Sequence, residues 1–213
     1  MKKASKIIAI FIFAMSVFVG VGTVGVFADT ASQTNTVNEP VKFIAKQKGK
    51  KVVLKWNKSK NVKGYIIYKN GKKFKTLKKN KLTDKKVKKN KVYSYKIKAY
   101  TFANGKKVFS NSGQTVSIIV TDKKSKKVNA GRFKYIKNQY TISLNGKVKL
   151  QGEAYPSKKL KKKKVLSRKL TWSSSDTSLA TVNARGVVKA NNNMKTGTVI
   201  IYAKAHNGLT KKV

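Results

Sequence analysis

The chain has 213 residues, with 51 Lys and Arg against six Asp and Glu, one His and no Cys. That length accommodates two small domains, and the missing cysteine excludes a disulfide framework, a thiol nucleophile, a cysteine metal site and a lipid anchor on cysteine. The formal charge of +45 is nearly all lysine, the arginines being Arg132, Arg168 and Arg185. Lysine is a hydrated point charge, better suited to diffuse attraction to polyanions than to bidentate reading of bases. The alternative is a compositional bias that serves solubility, because net charge speaks to solubility and nonspecific binding and not to fold.

Lys2, Lys3 and Lys6 precede an apolar run from Ile7 to Phe27 that ends in Val26-Phe27-Ala28. A basic start, an apolar stretch and a small-x-small ending predict a secretory signal peptide over residues 1–28, cleaved after Ala28. The run is also long enough for an uncleaved membrane anchor, but Gly20, Gly22 and Gly25 weaken a helix where a cleavable segment ends. Residues 29–40 are polar, sparsely charged and without period, which predicts a flexible segment.

From 41 to 120 the pattern is all β. Lys51–Trp56 predicts a strand with Trp56 near its end, and Gly64–Lys69 predicts the next. Asn70-Gly71 is a hairpin signal between that strand and its return over Lys72–Leu77. Val92–Tyr100 alternates with period two, placing Tyr93, Tyr95, Ile97 and Ala99 on one face and Val92, Ser94, Lys96 and Lys98 on the other. Asn104-Gly105 predicts a second hairpin, and Gln114–Val120 a closing strand. Residues 121–132 are lysine-rich and aperiodic, as a linker is. Beyond it, Leu170–Asp176, Leu179–Val182, Gly186–Ala190 and Gly197–Ala203 are short β patterns closed by turn residues, and Trp172 has the setting of a core-filling aromatic. The chain therefore predicts an all-β protein of two tandem sandwiches, residues 41–120 and 133–213.

Leu54-Lys55-Trp56, Gly64-Tyr65-Ile66-Ile67-Tyr68, Thr83-Asp84, the alternation from Tyr93 to Ala99, and Phe109-Ser110 together resemble a fibronectin type III domain of the bacterial kind. The resemblance implies that Trp56 is a core residue and that Tyr93 is a corner tyrosine, its hydroxyl bonded to nearby backbone. Trp172-Ser173-Ser174-x-Asp176, Ala180-Thr181-Val182, Gly186-Val187-Val188-x-Ala190 and Gly197-Thr198-x-x-Ile201, with Leu144, Gly146, Leu150 and Pro156 upstream, resemble the bacterial Ig-like group 2 domain of invasin- and intimin-type surface proteins. That implies a sandwich that displays or binds, with Trp172 in its core. Two features depart from that family. Six lysines crowd Lys158–Lys164, where the family has a short polar loop, and predict a solvated loop or strand edge. Val213 follows soon after the Asn207-Gly208 turn, which predicts a short or frayed last strand.

Asp29, Glu39, Asp84, Asp122, Glu153 and Asp176 are scattered, so no carboxylate pair for acid–base work is legible. Asp84 and Asp176 read as turn residues that bond local amides. His206 stands alone beside Asn207-Gly208 and reads as a surface turn residue, since a metal site needs further ligands. Ser173–Ser175 lack the flanking glycines of a nucleophile elbow, and no glycine-rich phosphate loop precedes a helix. The expectation is a protein that is not an enzyme and uses no cofactor or metal. It would be secreted, extracellular or cell-wall associated, adhesive or spacing through its sandwiches, with a host or cell-surface ligand.

The alternative is a lysine-mediated binder of an anionic cell-wall polymer such as teichoic acid, of acidic polysaccharide or, nonspecifically, of nucleic acid. The candidate residues are Lys85, Lys86, Lys88 and Lys89 in the first domain, within a wider set from Lys78 to Lys91. In the second they are Lys158, Lys159, Lys161, Lys162, Lys163 and Lys164. Scarce arginine and the lack of a recognised nucleic-acid module count against specific nucleic-acid recognition. Membrane contact is expected only through the leader, if it stays uncleaved.

Overall fold

Alternating apolar and polar residues build strands that each give one face to a core. The computed structural model, which describes residues 37–111, 113–137 and 139–213, is assembled from such strands, with no α-helix among the described residues. The expected leader and residues 29–36 of the expected flexible segment lie outside the described residues. The end of that segment belongs to the first core: Val37 packs against it and Pro40 is fully buried. Two isolated apolar residues carry no period, so the sequence pattern does not reveal their burial.

The first half contains β1 (Ile44–Lys48), β2 (Lys51–Lys55), β3 (Gly64–Lys69), β4 (Lys72–Leu77), β5 (Lys81–Asp84), β6 (Val92–Ala103), β7 (Lys106–Phe109) and β8 (Gln114–Ile119). One antiparallel sheet has the order β1-β2-β5; the other has the order β4-β3-β6-β7, with β8 along the first part of β6. Asn70 and Gly71 take φ of 49° and 82°, and Asn104 and Gly105 take 50° and 71°, the left-handed pairs that two-residue hairpin turns require. Phe43, Leu54, Tyr65, Ile67, Tyr95, Ile97, Val116 and Ile118 fill the space between the sheets. Trp56 is buried among them, edge-on to Phe43 and Tyr65 with ring centroids 6.0 and 5.3 Å away. Along β6, Tyr95, Ile97 and Ala99 are buried while Lys96 is exposed, as the alternation requires.

The second half contains β9 (Lys127–Val128), β10 (Arg132–Lys134), β11 (Lys147–Lys149), β12 (Glu153–Tyr155), β13 (Lys164–Val165), β14 (Thr171–Ser174), β15 (Ala180–Val182), β16 (Val187–Ala190), β17 (Ile201–Lys204) and β18 (Thr210–Lys212). Sheets of order β11-β16-β15 and β14-β17-β18 are joined by the pairs β10-β12 and β13-β9. Trp172 is half-buried and packs on two small cores, one around Leu170, Ala154 and Ala203, the other around Leu150, Val188 and Ile201. Gly186 admits the ring: its φ is 78°, and a Cβ there would lie 2.9 Å from Trp172 Nε1.

Three local expectations change. The strand expected from Gly197 begins only at Ile201, because Ser175 takes over the pairing of Ile200: its amide donates to the Ile200 carbonyl and its Oγ accepts the Ile200 amide, both at 2.9 Å. The final strand is short, as expected, but tied: the Val213 amide donates to Ile201 at 2.9 Å and its carbonyl accepts from Ile201 at 3.2 Å. Residues 121–132 hold β9 and the start of β10. Within them the Asn129 side chain acts as a substitute strand, accepting from the Ile119 amide at 3.0 Å and donating to its carbonyl at 2.8 Å. The described residues form one compact unit.

Candidate functional site

Residues 122–125 close a tight turn around Asp122. The Lys124 amide donates to Asp122 Oδ1 at 3.0 Å, and Ser125 Oγ lies 2.9 Å from the same oxygen. The Ser125 hydroxyl beside it, then the Lys89 ammonium, hold the Asp122 carboxyl below its ordinary range. Ser125 is buried, and the turn it anchors reaches in two directions. Toward the first half, Ser125 Oγ sits 2.6 Å from Asn90 Oδ1, the Asn90 amide donates to the Val120 carbonyl at 2.7 Å, and Lys89 Nζ lies 3.5 Å from Asp122 Oδ2. Toward the second, Lys163 Nζ donates to the carbonyls of Lys123 at 2.6 Å and Ser125 at 2.7 Å. The Lys164 amide donates to Lys126 at 3.2 Å, and β13 then runs parallel to β9, with Lys164 opposite Lys127.

Three lysine runs distant in sequence thus meet at the junction of the two halves: Lys85–Lys91, Lys123–Lys127 and Lys158–Lys164. Of the candidate lysines, Lys85, Lys86, Lys88, Lys89, Lys158, Lys159, Lys161, Lys162 and Lys164 are exposed. Lys163 is half-buried and spends its ammonium on backbone carbonyls. Lys158–Leu160 form a single 3₁₀ turn and Lys164 lies on a strand edge, the solvated arrangement the crowding predicts. Lys123, Lys124, Lys126 and Lys127, read from sequence as linker, belong with the other two runs. Their charge run was the available signal, but nothing in the sequence says which runs share a surface.

A second tie joins the halves at the hairpin between β17 and β18. The Ala45 amide donates to the Asn207 carbonyl at 2.9 Å and the Ser117 amide to the His206 carbonyl at 2.6 Å. The Ala130 amide donates to His206 Nε2 at 3.2 Å, so the ring proton sits on Nδ1, which donates to the Ser117 carbonyl at 2.8 Å. His206 is therefore no free surface residue; burial lowers its pKa from 6.5, partly opposed by the Ser117 carbonyl. Lys204 Nζ reaches Gln114 Oε1 at 3.0 Å, and burial lowers its pKa as well.

Asp84, expected in a turn, does accept the Lys86 amide at 2.8 Å. It is also buried, accepts the Tyr95 hydroxyl at 2.6 Å and pairs with Lys69 Nζ at 2.6 Å. Burial first, then the Asp84 carboxylate, push the Tyr95 phenol well above its usual range. Tyr93 lies under the same ammonium, 4.5 Å from its ring centroid, and its hydroxyl accepts the Lys88 amide at 2.8 Å, the backbone bond that the corner-tyrosine resemblance implies. Asp176 accepts the Ser178 amide at 2.8 Å, and hydrogen bonds from Ser178 lower its pKa. A cleft of about 840 Å³ in the second half is lined by apolar residues, hydroxyls, amides, Lys195 and Lys212, with no His, Asp or Glu among the described residues of its walls.

No family model and no curated protein matches the chain. Among solved structures, the spore cortex lytic enzyme SleM of Clostridium perfringens is similar at 23% identity over 40% of this chain and 28% of its own, with a TM-score of 0.33. The β-1,2-glucanase from Parabacteroides distasonis is similar at 27% identity over 41% of this chain and 13% of its own, TM-score 0.36. The central fibronectin-III array of RIM-binding protein is similar at 13% identity over 84% of this chain and 69% of its own, TM-score 0.36. The chain thus spans under a third of either enzyme, and likenesses of this size decide nothing about its activity.

Proposed function

We propose that the chain is a non-catalytic module of the cell exterior, a spacer and adhesive unit of two sandwiches held at an anionic wall by its lysines. The observation that carries this reading is the meeting of three lysine runs, from both halves and from between them, on one junction. Lysines on the edge strands β4 and β7 have a simpler use, since charge on an exposed edge blocks pairing with another sheet. The Lys85–Lys91 and Lys123–Lys126 runs are loops and turns, where edge protection explains nothing. Scattered carboxylates and a histidine committed to backbone partners support a binding role over a chemical one. The leader-like sequence of residues 1–28 supports export. Fractionation of producing cells tests the reading: the protein should sediment with walls at low salt and be released as salt rises, because screening weakens exposed charge pairs. Protein found in the cytoplasm, or wall-bound without salt dependence, overturns it.

A further inference from the structure

We propose that the junction forms a single binding site for a phosphodiester polymer without bases, one chain of which lies across both halves. The site rests on the reading above that lysines hold the protein at an anionic surface, and adds to it a location, a ligand chemistry and a mode of binding. The three runs contribute five, four and six lysines, all exposed except Lys163. Among the described residues, Asp122 is the one carboxylate that pairs with a lysine there, 3.5 Å from Lys89. Ser125 and Asn90 pin the first run to the second; Lys163 and the β9-β13 pair pin the second to the third. The backbone segments that carry the charges are therefore tied together before any ligand arrives, which lowers the ordering cost of binding.

The composition of the runs selects the ligand. They contain lysine with no arginine; the arginine fork suits bidentate capture of single carboxylate or phosphate groups, whereas lysine on its flexible stem meets each charge of a mobile polyanion as a point charge. They contain no aromatic residue, so the runs themselves offer no platform on which bases could stack. A flexible chain of phosphates separated by small alcohols fits both facts. Lys163 takes no part in binding; its ammonium holds the Lys123 and Ser125 carbonyls and so builds the site.

The test measures binding of the purified chain to poly(glycerol phosphate) across a salt series, with polygalacturonate and single-stranded poly(dT) as comparison polymers. One variant carries Lys158, Lys159, Lys161 and Lys162→Gln. A matched control carries Lys58, Lys60, Lys63 and Lys106→Gln, four exposed lysines at the opposite end of the first sandwich. Circular dichroism establishes that both remain folded. The junction variant should lose at least tenfold in affinity at low salt and lower the slope of log affinity against log salt by roughly 3, at 0.7–0.9 per contact. The control should stay within twofold of the unchanged protein. Equal losses from the two variants would overturn the site while leaving wall attachment by charge intact. Failure of the unchanged protein to bind any of the polymers would overturn the functional reading itself. Tighter binding to polygalacturonate or poly(dT) than to poly(glycerol phosphate) would overturn the ligand chemistry.

Discussion

Replacing Gly208 with alanine should loosen the docking of the two halves without unfolding either. Gly208 sits in the β17–β18 turn at φ 85°, where an L-residue is strained by about 1–2 kcal/mol. An added Cβ would also fall inside contact distance of the Phe43 carbonyl oxygen and 2.8 Å from Ile44 Cα. Both are backbone atoms, so no rotamer change relieves the overlap and the turn must lift away. Four hydrogen bonds across the halves then go: Ala45 to Asn207, Ser117 to His206 in both directions, and Lys204 to Gln114. At about 1 kcal/mol net for each, docking loses about 4 kcal/mol. Calorimetry should show one transition for the unchanged chain and two for Gly208→Ala, and trypsin should cut faster after Lys123, Lys124, Lys126 or Lys127. A variant with a single transition and unaltered cleavage would refute the view that this turn couples the halves.

Asp84→Asn should cost about 3 kcal/mol by leaving the Lys69 ammonium without its counter-charge; Lys69→Met added to it should recover part of that loss, measured as urea midpoints, and a single-variant loss under about 1 kcal/mol would contradict the pairing. Trp56→Ala should cost about 3–5 kcal/mol and unfold the first half, whereas Trp172→Ala, at a half-buried position between two small cores, should cost less; equal losses in denaturant titrations would refute the difference. Docking should weaken on acidification. His206 is neutral when docked and its pKa is lowered, so its contribution is complete above the undocked value of about 6.5 and is lost as pH falls below it. Interdomain distance by scattering should grow over that range, and His206→Gln should remove the pH dependence.

Backbone pattern was legible in the sequence wherever it was local. The Asn70-Gly71 and Asn104-Gly105 turns, the period of β6 and the apolar β3 each depend on residues within a few positions of one another, because left-handed turn conformations and the two-residue pleat are properties of the chain itself. Trp56 could be assigned to a core for the same reason, standing at the end of an apolar strand. What tertiary structure decided depends on contacts between distant residues. His206 looked like a surface turn residue until Ser117 and Ala130, 89 and 76 positions away, were brought against its ring. Asp84 was expected to bond its own turn, and does, but its pairing with Lys69 and Tyr95 follows from the stacking of β5 against β3 and β6. The lysine runs show the division most plainly. Each is visible as charge in one dimension, and composition alone makes each solvent-facing. Their union at one junction comes from Ser125, Asn90, Lys163 and a two-residue parallel pairing of β9 with β13. Such side-chain and edge-strand bonds have no period, because they are set by which surfaces the two cores present to each other once they have packed.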